Sequence, residues 1–248
     1  MLNSTEARLA LVFKALSDPN RLRIFDLLTF NDLSNSELMA EFGLSQNLLS
    51  HHLNTLSEAG LITVHPSIGD ARRRYYSANL EAAAGVQGWF SQHAPLSQRP
   101  LPALTPRCRV LFLCQRNAAR SLMAEAIARH IASGALDAYS AGVEPDHSPQ
   151  PLAFQVLAEH GISPRDLRQQ TLAGLDLLAF DTVITVCDRE HESIDRGRLR
   201  ATEYLHWSLV DPDELASDLA GQLEETRRLY TRLEQRITVF VQRLAARA

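Results

Sequence analysis

Cys114 and Arg120 stand six positions apart in the run Val110-Leu111-Phe112-Leu113-Cys114-Gln115-Arg116-Asn117-Ala118-Ala119-Arg120-Ser121. A thiol and a guanidinium at that spacing can close around a tetrahedral oxyanion. A tight loop of this length turns successive backbone N–H groups inward, here those of Gln115, Arg116, Asn117, Ala118, Ala119 and Arg120. The same positive field favours the thiolate of Cys114, which is a strong nucleophile. Arg120 can grip two equatorial oxygens through its fork, and the Ser121 hydroxyl can donate to the sulfur. The chemistry expected is nucleophilic attack on phosphate or a phosphate mimic.

Such a loop needs a strand before it and a helix after it. The apolar, β-prone lead-in and the helix-forming Leu122-Met123-Ala124-Glu125-Ala126-Ile127-Ala128-Arg129 supply both, and the helix N-terminus adds its dipole. Further on, strands and helices alternate, which predicts an α/β domain with a parallel sheet and helices on both sides. Ligands gather at the carboxyl ends of such strands. Cys114 ends one strand and Cys187 ends the apolar run Val183-Ile184-Thr185-Val186, so both thiols are expected at one rim. Cys108 lies roughly 20 Å from Cys114 along an extended strand, beyond disulfide reach, and reads as structural. The last helix carries an apolar stripe of Leu219, Leu223, Leu233, Ile237, Phe240, Val241 and Leu244, expected to pack on the sheet.

Cys-x5-Arg-Ser followed by Met123-Ala124-Glu125-Ala126 resembles the low-molecular-weight protein tyrosine phosphatase superfamily, which includes thiol-dependent arsenate reductases. Tyr139-Ser140-Ala141-Gly142, Asp181 to Asp188, and His206-Trp207 before Asp211-Pro212 extend the likeness from about Arg107 to the C-terminus. The resemblance implies that Asp211 is the general acid, since an alkoxide or hydroxide leaves poorly without a proton. It also implies that Cys187 stands where thioredoxin-coupled arsenate reductases have a resolving cysteine. Five positions depart from the pattern: Ile194 and Ala119 replace further cysteines, Arg116 stands where phosphatases have glycine, and Asp213-Glu214 replace an aromatic pair. A three-thiol relay is therefore missing. Cys114 must hand over to Cys187 alone or to an external thiol, thioredoxin or a low-molecular thiol.

The chain before this domain is punctuated differently. Asp18-Pro19 reads as an N-cap and first-turn proline, Ser34-Asn35-Ser36-Glu37 as a capping box, Gly43 as a stop, Ser45 as a cap and Gly60 as a second stop. Between Ser45 and Glu58, Leu49, Leu53 and Leu56 share one helical face, while Asn47, Ser50, His51 and Asn54 share another. Two short helices joined at Gly43-Leu44-Ser45 have helix-turn-helix form, and a winged helix follows from Leu61–His65 and Arg72–Tyr76 flanking Ser67-Ile68-Gly69-Asp70. Gln46, Asn47, Ser50 and His51 are candidates for DNA base edges or phosphates, and Arg72, Arg73 and Arg74 for phosphates. Ala15–Ile24, Leu44–Leu53 and Glu58–Leu61 are similar to the ArsR family of winged-helix repressors. That resemblance implies a homodimer on a double-stranded DNA operator, with residues 79–92 as a dimer helix. The paired cysteines of the family's metalloid sensors are absent from Leu33–Leu38, so a trivalent arsenic site is not expected there. His51, His52 and His65 are not read as a metal cluster, and the adjacent pair is expected to meet DNA or solvent.

At 248 residues, with 45% hydrophobic and 22% charged side chains, the chain can bury two cores and is not of disordered composition. A formal net charge of −4 argues against non-specific coating of nucleic acid but not against a sequence reader. Leu9–Phe13 is too short for a membrane span and is flanked by Glu6, Arg8 and Lys14, so neither signal peptide nor membrane partner is expected. Three cysteines without Cys-x2-Cys spacing suit a reducing, cytoplasmic compartment, with no metal and no cofactor beyond an external thiol reductant. Residues 1–93 are expected as the DNA-binding and dimerisation domain, 94–106 as a proline-rich linker and 107–248 as the phosphatase-like domain. Three functions fit: a regulator fused to an arsenate reductase, a regulator whose phosphatase-like domain senses an oxyanion or its own oxidation, or a phosphatase tethered to DNA.

Overall fold

The computed structural model describes residues 4–93, 108–134, 136–144, 150–175, 179–194, 199 and 201–247. The expected linker, 94–106, lies outside the described residues. The chain divides into two compact units, residues 1–67 with 71–100 and residues 68–70 with 101–248.

In the first unit the second, third and fourth helices each begin where the sequence offers a side-chain acceptor. After α1 (Ser4–Leu16), the Asp18 carboxylate accepts the Asn20 and Arg21 N–H groups at 2.9 and 3.0 Å and starts α2 (Pro19–Leu28). A two-residue strand, β1 (Leu33–Ser34), leads into α3 (Asn35–Phe42) through a reciprocal capping box between Ser34 and Glu37. Gly43, at φ 62°, takes the left-handed conformation that ends α3, and Ser45 then caps α4 (Gln46–Glu58). The wing is β2 (Ile62–Pro66) against β3 (Arg74–Ala78), antiparallel, with β1 on the far side of β3. Helix α5 (Leu80–His93) closes the unit. Ile24, Leu28, Leu38, Leu49, Leu56 and Leu61 form its core.

Two elements here escape the sequence pattern. The apolar residues Leu9 to Phe13 run consecutively in α1, so the helical period is hidden, although only Leu9, Val12 and Ala15 are buried. A strand as short as β1 carries no period at all. One expectation fails: His51 is exposed, but His52 is turned into the core, 4% exposed, and meets neither DNA nor solvent.

The second unit holds a four-stranded sheet in the order β5-β4-β6-β7, from β4 (Cys108–Cys114), β5 (Leu136–Gly142), β6 (Phe180–Thr185) and β7 (Ala201–His206), with every neighbouring pair parallel. Helices α6 (Arg120–Ala132), α7 (Pro151–Glu159), α8 (Asp188–Ser193), α9 (Pro212–Leu215) and α10 (Leu219–Arg247) complete it. The period of two along β4 sends Val110, Phe112 and Cys114 to one face and Leu111 and Leu113 to the other. The second face packs with Val183, Phe180, Leu175 and Leu199, the last two from short turns rather than long helices.

The last helix meets the sheet at its β7 edge, where Arg243 pairs with Glu203 at 2.5 Å, and has helices as further neighbours. Helix α10 packs on α6, α7 and α9, and it reaches the end of the sheet through Phe240, edge-on to Trp207 at 6.4 Å. Its apolar stripe is shorter at the start than expected: Leu233, Ile237, Phe240 and Val241 are buried, whereas Leu219 is 69% exposed.

Candidate functional site

The loop between β4 and α6 holds its carbonyls outward. Val143 N–H donates to the Cys114 carbonyl at 3.3 Å, Glu144 N–H to Gln115 at 2.9 Å and Gln150 N–H to Ala118 at 3.0 Å. With those acceptors satisfied from outside, Asn117 N–H turns inward and donates to Cys114 Sγ at 3.1 Å. Asn117 sits at φ 51°, a left-handed conformation that Asn tolerates better than most side chains. Gly142 must be glycine for the same loop to pass: a Cβ there would lie 2.9 Å from the Gln115 carbonyl oxygen and 3.0 Å from Asn117 Cβ.

The Asn117 side chain does not face into the loop. It is fully buried and acts as a frame, with Nδ2 donating to Ser121 Oγ at 2.8 Å and to Ser140 Oγ at 2.9 Å, and Oδ1 accepting Gln170 N–H at 2.8 Å. Ser140 in turn donates to Glu125 at 2.5 Å, and Glu125 pairs with Arg129. These donors fix the direction of the chain of bonds. Ser121 Oγ accepts from Asn117 and lies 3.0 Å from Cys114 Sγ, so with Cys114 as a thiolate its proton points to the sulfur. Sequence spacing pointed to Cys114, Ser121 and the backbone of Asn117; the framing by Ser140, Glu125 and Gln170 was not read. Its signals were an Asn in a loop that has no glycine, and a Ser two positions before Gly142.

Arg120 is held at the mouth of the loop, with two of its five N–H donors engaged by the protein. Nη1 donates to the Leu209 carbonyl at 2.9 Å and Nη2 to Asp211 Oδ2 at 3.0 Å. The Arg116 side chain reaches the same carboxylate oxygen at 2.8 Å. Burial pushes the Asp211 carboxyl up, but the Arg120 and Arg116 guanidinium groups outweigh it and hold the group below the usual carboxylate range. In this arrangement Asp211 is an ionised partner of the arginines rather than a loaded proton donor.

Cys187 follows β6, the strand beside β4, and Val186 N–H donates to the Leu113 carbonyl at 2.8 Å, so the two thiols stand on neighbouring strand ends. Burial pushes the Cys187 thiol up to about 11, against the pull of the Arg120 guanidinium. Cys108, at the far end of β4, is pushed up to about 12 by burial and by Asp181. Beyond Cys187, Asp188 is buried: desolvation is outweighed by hydrogen bonds from His206 and Ser208, which keep it ionised. Side chains bordering the cleft include Gln115, Arg116, Glu144, Arg189, Asp213 and Glu214.

On the first unit, Gln46, Asn47 and His51 are exposed and Ser50 is half-buried, all on α4, while Leu49, Leu53 and Leu56 anchor the opposite face. Arg72 and Arg73 lie in the turn of the wing and Arg74 opens β3, all three exposed. The structure thus gathers the seven predicted contact residues on one helix and one hairpin.

Comparison with known proteins agrees with this division. Residues 109–248 match the model for low molecular weight phosphotyrosine protein phosphatases, and residues 18–64 match that for bacterial regulatory proteins of the arsR family. An arsenate reductase of Shouchella clausii is 32% identical over 55% of this chain and 94% of its own length. The transcriptional repressor SdpR of Bacillus subtilis is 37% identical over 32% of this chain and 84% of its own. An arsenical resistance operon repressor of Staphylococcus xylosus is 37% identical over 29% of this chain and 67% of its own. The chain belongs to the low molecular weight phosphotyrosine protein phosphatase family, with an arsR-family helix-turn-helix region joined ahead of the phosphatase-like domain.

Proposed function

We propose that this chain is a DNA-binding regulator whose second domain reduces arsenate. The observation that carries the reading is the placement of two thiols on neighbouring strand ends, Cys114 within a hydrogen-bonded anion loop and Cys187 beside it within the field of Arg120. Catalysis starts when the Cys114 thiolate attacks arsenic and hydroxide leaves with a proton from Asp211, forming a sulfur–arsenic bond. The Cys187 thiol passes its proton to an arsenic-bound oxygen, and its sulfur attacks Cys114 Sγ. The electron pair of the sulfur–arsenic bond passes to arsenic, arsenite departs, and a Cys114–Cys187 disulfide remains for an external dithiol to reduce.

Asp213 and Glu214 at the cleft give an aryl ring little to pack on, which weighs against an aryl phosphate as substrate. The relatives named as an arsenate reductase and an arsenical resistance operon repressor support an arsenic response for both domains of this one chain. For the first domain the reading is operator DNA bound by a homodimer. Helix α4 enters the major groove through Gln46, Asn47, Ser50 and His51, the wing arginines hold phosphates, and α1 and α5 meet their copies. Leu11 and Phe13 on α1, 57% and 42% exposed, suit that interface. No helix among the described residues is long and apolar enough to cross a membrane, and all three cysteines are free, which fits work in a reducing cytoplasm.

The test assays one preparation side by side for arsenite formation with a dithiol reductant and for aryl phosphate hydrolysis. Arsenite formation that is lost in Cys114→Ser supports the reading. Aryl phosphate turnover without arsenite, surviving Cys187→Ser and lost in Asp211→Asn, would replace it with a phosphatase.

A further inference from the structure

Two guanidinium groups converge on one oxygen at the mouth of the loop. Nη2 of Arg120 and of Arg116 both donate to Asp211 Oδ2, at 3.0 and 2.8 Å. Arg120 comes from the first turn of α6 and its side chain is 10% exposed; Arg116 comes from the loop itself and is 41% exposed. The other Asp211 oxygen accepts the Asp213 N–H at 3.3 Å. Asp213 also faces Arg116 at 3.8 Å and takes a hydrogen bond from Gln150. The charged groups facing Asp211 are therefore Arg116 from the loop, Arg120 from α6 and Asp213 from α9, two positive and one negative.

An oxyanion entering the loop competes with Asp211 for the Nη2 end of Arg120, since Nη1 already donates to the Leu209 carbonyl. When the anion takes that end, Asp211 loses a cation and gains a negative neighbour. An acidic side chain in that position is repelled towards solvent unless a second cation stays with it. We propose that the Arg116 side chain is a positioning residue of the reaction, keeping Asp211 over the loop after the oxyanion has displaced it from Arg120. The inference rests on the reading of Asp211 as the proton donor to the leaving oxygen. It gives a task to the residue that replaces glycine in the resembled loop pattern. Docking and proton affinity are linked here: the bound anion favours protonation of Asp211, Arg116 opposes it, and the balance sets the pH range in which the acid is loaded.

The experiment uses the full chain with Arg116→Ala and Arg116→Lys. The pH profile of kcat for arsenate reduction is measured beside the carboxyl 13C titration of Asp211 at saturating phosphate, assigned with Asp211→Asn. In Arg116→Ala, kcat falls about tenfold while KM stays within about threefold. The alkaline limb of the profile and the carboxyl midpoint both move up by about one pH unit, and Arg116→Lys recovers most of each. An unmoved midpoint overturns the proposal. So does a rise in KM at constant kcat, which would make Arg116 a plain anion ligand. If no variant and no wild-type preparation forms arsenite, the reaction assigned above fails, and the carboxyl midpoint alone still decides the role of Arg116: a rise supports it and no change ends it.

Discussion

Asn117 holds the anion loop together at a cost in backbone strain. Its side chain takes part in three hydrogen bonds, two of them fully buried, and its φ of 51° suits few residues. Asn117→Ala should therefore lose about 2–4 kcal/mol of stability in denaturant titration, and a change under about 0.5 kcal/mol would show that the frame is redundant. Cys187 allows a second prediction. Its thiol is raised from 9.0 to about 11, so below pH 9 the protonated form is favoured by folding, and that stabilisation disappears as pH climbs from 9 to 11. Its thiolate fraction should grow about tenfold per pH unit up to that point. In Cys114→Ser, alkylation of Cys187 followed by mass spectrometry should rise with that slope between pH 7 and 10; a plateau near pH 8 would refute the buried, protonated thiol. At this scale Cys114, Arg120 and Ser121 were legible because the spacing of a thiol, a guanidinium and a hydroxyl is itself chemical information. The bonds of Arg120 to Leu209 and Asp211 were not, since both partners arrive from about ninety residues away, and the local sequence does not say which side chain meets the guanidinium.

The strand ends and helix starts decide whether those residues meet. At Gly142, the end of β5, an added methyl would press on the loop backbone at 2.9–3.0 Å. Gly142→Ala should cost about 1–3 kcal/mol in stability and weaken phosphate binding by calorimetry, while an unchanged affinity would mean that the loop yields without loss. In α4 the two faces can be separated. Leu49, fully buried, should cost about 2–4 kcal/mol as Leu49→Ala. Asn47, exposed, should leave stability within about 0.5 kcal/mol as Asn47→Ala yet weaken binding to a DNA site selected from a random pool. Stability loss at Asn47 without any change in DNA binding would contradict the assignment of faces. The elements of the first unit were legible through Asp18, Ser34, Gly43 and Ser45, whose side chains or φ preferences mark helix ends directly. Helix α1 was not, because five consecutive apolar residues hide which two face inward. For α10 the period showed the buried side but not the neighbour, and periodicity carries no information about whether a helix, α6, or the sheet lies opposite.

At the scale of the whole molecule, the proposed function requires an operator-binding dimer and a two-thiol reductase in one polypeptide. The dimer is testable at once: Leu11→Asp with Phe13→Asp should convert the chain to a monomer in sedimentation equilibrium, and a dimer that persists would move the interface away from α1. The chemistry depends on electrons leaving two thiols together, so the most direct measurement is a single turnover. Fully reduced chain is mixed with one equivalent of arsenate, without external reductant, and its peptides are mapped by mass spectrometry. The account predicts one arsenite released per Cys114–Cys187 disulfide formed, and neither product in Cys114→Ser. Arsenite released with Cys187 still reduced, or a disulfide formed at the same rate with arsenate left out, would contradict it.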